Sequence, residues 1–179
     1  MEELASFVVR LTALDLLLVL VWLAAIVFGW ISGIVRQLLV LAAIVLGAVI
    51  GLTLAWDAAY WTGLVSGLEQ RRLHPLLYAI ITIAVAAVLY YLTTRAYPHT
   101  RLAGRKTLDQ WGGGLLGLTV GLLVVMLLAA VLRMLTGVEW LLLDIVRINL
   151  RLQLENSPIL PLLQDLFPPV SALVGALLP

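Results

Sequence analysis

The sequence predicts an all-α integral membrane protein with four transmembrane helices in two antiparallel hairpins, followed by short interfacial C-terminal segments. Of its 179 residues, 63% are hydrophobic and only 12% are charged, which is about half the charged fraction of an ordinary soluble domain. A chain of this size could not bury so much apolar surface in water. Four apolar runs are each long enough to cross a hydrocarbon core about 30 Å thick.

The four predicted spans follow one another along the first three quarters of the chain. They cover residues 14–30, 38–56, 76–92 and 111–132. Tryptophan and tyrosine residues lie at or near the ends of these runs, where amphipathic rings favour the headgroup layer. We therefore expect a four-helix transmembrane domain, residues 1–135, and an extracytoplasmic or interfacial tail, residues 136–179, packed on it.

The connections between the spans predict their orientation. The short turn 31–37 makes the first two spans antiparallel neighbours, and residues 57–75 form an exposed connection that ends at Pro75, a residue suited to a helix start. The third connection, 95–109, holds the densest group of basic residues, which favours the cytoplasm. Both termini then face outward. Three residues of this loop mark orientation or attract anionic lipid: Arg101, Arg105 and Lys106.

The tail has a different pattern from the spans. Residues 147–155 alternate between apolar and polar side chains, which predicts a strand or an extended segment on the surface. A lone strand cannot cross lipid, because its backbone groups would stay unpaired. Residues 157–179 contain five prolines, which divide this stretch into pieces too short to span. We expect these pieces to be interfacial helices.

Glycines recur at intervals of four residues at three places along the chain. This spacing places them on one face of a helix, where a groove without side chains lets another backbone approach closely. Such a groove serves either packing inside one chain, which we favour, or a homo-oligomer interface. The glycines are Gly29, Gly33, Gly47, Gly51, Gly113, Gly117 and Gly121.

Three ionisable residues lie near predicted helix starts. Asp15 is a functional candidate because carboxylates are rare in hydrocarbon, but a cap that accepts unpaired N–H groups is the favoured interpretation. Asp109 has the same expected role before the fourth span, with Thr107 as the alternative cap. Arg36 could bind lipid phosphate, pair with Asp109 or mark the cytoplasmic side.

No pattern in the sequence predicts catalysis, a metal or a cofactor. His74 and His99 fall in connections on opposite sides of the membrane and cannot share a metal ion. The chain has no cysteine, which excludes a thiolate site. Its net charge of +1 gives no reason to expect nucleic acid as a partner. The lipid bilayer is the expected partner, with a homo-oligomer and an envelope protein as further candidates.

Several stretches form a pattern that spans the chain: Asp15 before an apolar helix, the turn 29–39, the glycine-rich segment 108–121 and the tail segment 155–161. In order and spacing these resemble the colicin V production protein (CvpA-like) family of small bacterial inner-membrane proteins. The chain departs from the family pattern by having Gln37 in place of an acid, Gln110 in place of arginine and Val120 in place of a basic residue.

The resemblance implies a four-helix protein of the bacterial inner membrane, linked to bacteriocin production and envelope homeostasis. It also implies a relative whose similar membrane domain anchors an extracytoplasmic serine protease, which requires an outward C-terminus. We therefore expect a non-enzymatic protein that supports toxin secretion or the envelope through helix packing and protein partners. The alternatives are a small oligomeric channel or transporter, and a scaffold for a separate extracytoplasmic enzyme such as a protease.

Overall fold

A computed structural model describes residues 12–67, 69–96, 106–138, 144–166 and 168, and in these ranges the ordered elements are all helices. They are α1 (Ala13–Ser32), α2 (Ile34–Ser66), α3 (Gln70–Ala96), α4 (Lys106–Thr136), α5 (Asp144–Glu155) and α6 (Ile159–Leu166). The all-helical prediction is confirmed for this part of the chain.

Helices α1 to α4 are each long and apolar enough to cross a membrane, which confirms that the four predicted spans lie in long apolar helices. Helix α2 is longer than its predicted span. Its 33 residues rise about 50 Å, whereas the hydrocarbon core is only about 30 Å thick. Helix α2 therefore extends beyond the core or crosses it at a tilt.

The expected exposed connection at 57–75 is mostly helical. Helix α2 continues to Ser66 and ends at Gly67, whose φ of 69° is left-handed and whose N–H donates to the Gly63 carbonyl. Pro75 lies inside α3, so its predicted place at a helix start is wrong. Hydropathy marks where the chain leaves lipid, but backbone hydrogen bonds continue past that boundary.

The long helices do not pair mainly as the two expected hairpins. Helix α2 packs antiparallel along α3, and α1 packs antiparallel along α4, whereas α1 and α2 share few contacts, as do α3 and α4. Only Gly33 separates α1 from α2. The Cα atoms of Ser32 and Ile34 can lie at most about 7 Å apart, but helices packed side by side lie 8–10 Å apart. The turn is therefore too short for a closely packed α1–α2 hairpin.

Helix α4 is the centre of the bundle. It contacts every other helix of the described chain, and its side chains supply much of the core, including Leu122, Leu123 and Val125. Leu18 of α1 is buried in the same cluster. The outer helices instead present many exposed apolar side chains, as expected of faces that contact lipid.

The tail segment 147–155 is not a strand, so that prediction is wrong. It lies within α5, which packs against α4 and α1. In a helix, alternating apolar residues fall on two opposite sides: Leu154 is buried, whereas Ile145, Ile148 and Leu152 are at least half exposed. A helix pairs its own backbone groups, which a lone strand cannot do. Helix α6 follows and packs on α4.

Candidate functional site

Asp15 is fully buried at the start of α1. It forms a capping box with Thr12, the N-cap residue. The Asp15 N–H donates to Thr12 Oγ1 over 3.2 Å. In return, Asp15 Oδ2 accepts the Thr12 N–H at 2.8 Å and the Thr12 hydroxyl at 2.9 Å. One carboxylate oxygen is thus fully engaged in the end of its own helix.

The second oxygen of Asp15 joins α1 to the tail. Oδ1 accepts a buried hydrogen bond from the hydroxyl of Ser157, a residue 142 positions away in sequence. Ser157 Oγ accepts the Leu160 N–H at 3.3 Å, in the first turn of α6. Asp15 and Ser157 therefore connect the beginnings of two helices. We call this pair the tail latch.

Asp109 serves the start of α2. Helix α4 begins at Lys106, so Asp109 and Thr107 lie inside its first turn and their predicted position before the helix is wrong. Asp109 is buried, and its Oδ1 accepts the N–H of Ile34 over 2.9 Å. Ile34 is the first residue of α2, whose N-cap, Gly33, has no side chain to accept this N–H group.

Arg36 faces α3, and the pair with Asp109, one of its three candidate roles, does not form between these two described residues. Its Nη2 donates to the Tyr90 hydroxyl over 2.8 Å, and its guanidinium carbon lies 5.5 Å from the centroid of the Tyr90 ring. Its Nε is buried and has no acceptor in the described part of the chain. Asp109 instead binds the N–H of Ile34, the first residue of α2.

The glycines of α1 and α4 lie where the two backbones touch. A Cβ added to Gly113 would fall 2.8 Å from the Cα of Gly33 and would clash with the Gly29 carbonyl. A Cβ on Gly117 would lie 2.6 Å from the Ala25 carbonyl oxygen. These contacts are between backbones, so no rotamer change can relieve them. We call this contact the α1–α4 crossing.

The other predicted glycines also face helices of the same chain. A Cβ on Gly121 would lie 2.8 Å from the Ala25 Cβ in α1. Gly47 faces the backbone of Thr82 in α3, with 2.8 Å between its added Cβ and the carbonyl oxygen, and Gly51 faces the Thr82 side chain. All seven glycines therefore have an internal neighbour that needs the space.

Gln37 was not predicted as a site residue, although it occupies the turn of the family pattern. Its side chain is 1% exposed and lies against the α1–α4 crossing. Nε2 is 3.0 Å from a Cβ placed on Gly29 and 3.2 Å from one placed on Gly117. Neither amide atom has a hydrogen-bond partner within the described residues, an arrangement that costs stability.

Some of the remaining predicted residues lie in the described ranges and the others lie outside them. Arg101, Arg105 and His99 lie outside the described residues, and Lys106 is the first residue of α4. His74 is buried inside α3 and stacks on Trp56 of α2, with 4.1 Å between the ring centroids. Its expected place in an exposed connection is therefore wrong.

A cavity of about 260 Å³ lies between α2, α3 and α4. Its walls are almost entirely aliphatic, with Ile44, Ala86 and Leu127 among them. Tyr78 and Thr82 also line it. The cavity offers a hydrophobic volume in the bundle and no charged group.

Four apolar helices and a tail joined to them by a buried latch define a multi-pass membrane protein. The chain belongs to the colicin V production protein family, whose sequence profile matches residues 14–168. This match confirms the resemblance and covers both the start of α1 and the tail latch. No curated protein and no solved structure gave a significant match. Membership of this family suggests a role in toxin production.

Proposed function

We propose that this chain is a non-enzymatic protein of the bacterial inner membrane. It supports toxin or bacteriocin secretion, or envelope homeostasis, through helix packing and protein partners. The observation that carries this proposal is that the family-pattern residues contact one another: Asp15 binds Ser157, Asp109 binds the start of α2, and Gly29 meets Gly113. The pattern therefore specifies how the helices are joined.

A positional role for the two buried carboxylates supports the absence of enzymatic activity. Asp15 and Asp109 each accept a backbone N–H at a helix N-terminus, where negative charge is favourable. A general acid or base needs a carboxylate that can reach a substrate proton. The oxygens that hold these helix ends are engaged by structural donors instead.

The tail supports an outward orientation of both termini. Helix α5 packs against α1 and α4, and the tail latch lies where α1 begins. The basic connection between α3 and α4 is then at the other membrane face, where the positive-inside rule places the cytoplasm. In this arrangement the tail is an extracytoplasmic layer on a four-helix membrane domain.

The exposed side of α5 favours one alternative, a scaffold for a separate envelope enzyme. Ile145, Ile148 and Leu152 form an apolar stripe on the side away from Leu154, which is buried. Such a stripe is typical of a helix that contacts a partner or the lipid interface. The oligomeric channel has less support, because the glycine faces are occupied by helices of the same chain.

A complementation assay tests the proposed function. The host is a bacterium that exports colicin V and lacks its own family member, and export is measured as a zone of growth inhibition. We expect the native chain and the Gly137→Ala control to restore export and Gly113→Ala to fail. Failure of the native chain, present at normal levels in the inner membrane, would refute the secretory role.

A further inference from the structure

We propose that Arg36 and Tyr90 form a binding site for the phosphate group of an anionic membrane phospholipid. The first observation is that Arg36 has no counter-ion among the described residues. The ion pairs of the described chain join Glu69 to Arg72, Asp144 to Arg147 and Arg151 to Glu155. Arg36 has none of these partners, although its Nε is buried. A partly buried charge without an opposite charge is unfavourable.

The free donors of Arg36 and Tyr90 fit a phosphate. Guanidinium has five N–H donors in a planar fork that matches phosphate oxygens. Within the described ranges, the side chain of Arg36 has one hydrogen bond, in which Nη2 donates to the Tyr90 hydroxyl. The hydroxyl proton of Tyr90 is therefore free to donate. One phosphate can accept from the guanidinium and the phenol together.

The position of Arg36 points to a lipid as the source of this phosphate. Arg36 is in the first turn of a helix that can span the membrane. Trp30 and Trp111 meet at the same end of the bundle, 4.5 Å between ring centroids. On α3, Arg95 donates to the Tyr91 hydroxyl over 2.7 Å. Aromatic and basic residues gathered in this way mark the headgroup layer.

The side of α3 that carries Tyr90 provides a surface for acyl chains. Ala87 and Ile83 lie three and seven positions before Tyr90, hence on the same face of the helix, and both are exposed, Ile83 by 69%. A lipid whose phosphate binds Arg36 can lay its chains on this face. Basic pockets between transmembrane helices bind anionic lipids in the same manner. The site is independent of the secretory role.

Native mass spectrometry tests the site. The full chain is reconstituted in nanodiscs of phosphatidylglycerol and phosphatidylcholine and released into mild detergent, and the retained lipids are counted. We expect Arg36→Gln to lower retained phosphatidylglycerol about tenfold, since a hydrogen-bonded charge is lost. The control, Arg133→Gln, removes the same charge from an exposed position at the opposite end of α4 and should retain as much as the native chain.

A second variant and a competition with inorganic phosphate complete the test. Tyr90→Phe keeps the charge and removes one donor, so a smaller loss of about threefold is expected; it replaces Arg36→Gln if that variant does not fold. Excess inorganic phosphate should not displace the lipid. The proposal is overturned if both variants retain native amounts of phosphatidylglycerol. Displacement by inorganic phosphate alone would assign the site to a free anion and overturn the lipid assignment.

Discussion

At the scale of single residues, buried polar groups act mainly at helix ends. Asp15 and Asp109 accept N–H groups that a helix N-terminus leaves unpaired. The sequence placed Asp15 near a helix start, because a carboxylate there has an evident local use. It could not identify Ser157 as the second partner, because a contact between residues 142 positions apart leaves no trace in local spacing.

The tail latch predicts a measurable loss of stability. Ser157→Ala removes the donor to Asp15 Oδ1 and leaves a buried carboxylate oxygen unpaired, so the free energy of unfolding should fall by about 1–3 kcal/mol. Unfolding by SDS in mixed micelles measures this change. Thr53→Ala is the control, because the exposed Thr53 hydroxyl donates to the Ile50 carbonyl of its own helix. Equal stability of the two variants would contradict the latch.

At Gln37 we predict a substitution that raises the stability of the folded chain. Gln37→Met keeps the length of the side chain and removes two buried polar atoms that have no hydrogen-bond partner among the described residues. The variant should therefore be more stable than the native chain, by about 1–2 kcal/mol. The same SDS titration measures the difference. A loss of stability of that size would mean that the amide has a hydrogen-bond partner in the membrane.

At the scale of the helices, the α1–α4 crossing holds the first and last spans together. The glycine spacing predicted that backbones approach closely, because only glycine leaves such a groove. It did not show which helix enters the groove. The predicted α1–α2 hairpin is wrong, because the single residue Gly33 cannot bridge the distance between two packed helices. The strand predicted for residues 147–155 is wrong, because an alternation of apolar and polar residues also fits a helix with two apolar sides.

The crossing predicts a position-dependent effect of alanine. Gly113→Ala forces the backbones of α1 and α4 apart, and overpacking of this kind costs about 1–3 kcal/mol. Gly137→Ala is the matched control, because its added Cβ would meet the Arg133 and Met134 carbonyls at 3.4 Å, an ordinary contact. Thermal unfolding in detergent compares the two variants. The crossing would be in doubt if Gly137→Ala were the more damaging change.

At the scale of the whole molecule, hydropathy was sufficient to find four spans, because lipid requires long apolar helices. Hydropathy could not predict which of the four helices pack against one another. Helix α4 is central because it is the most buried of the four, which depends on the packing of all its neighbours. The family pattern is visible in the sequence as separate motifs. The structure shows that residues of these motifs contact one another across helices.

The topology predicts an extracytoplasmic C-terminus. A fusion of alkaline phosphatase to Pro179 should be active, because this enzyme matures only outside the cytoplasm, where disulfides form. The same enzyme inserted in the basic connection between α3 and α4 should be inactive. Colony colour on a chromogenic substrate reports both results, with fusion protein levels as the control. The reverse pattern would invert the proposed orientation.

Disulfide trapping tests the central claim, that α1 and α4 of one chain pack antiparallel at the glycine crossing. The chain has no cysteine of its own, and a Cβ on Gly121 would lie 2.8 Å from that of Ala25, within about 1 Å of disulfide spacing. Oxidising native membranes that contain Ala25→Cys/Gly121→Cys should give a monomer with an internal, reducible bond and faster gel mobility, and neither single variant should change. Disulfide-linked dimers, or no bond in the double variant, would contradict the claim.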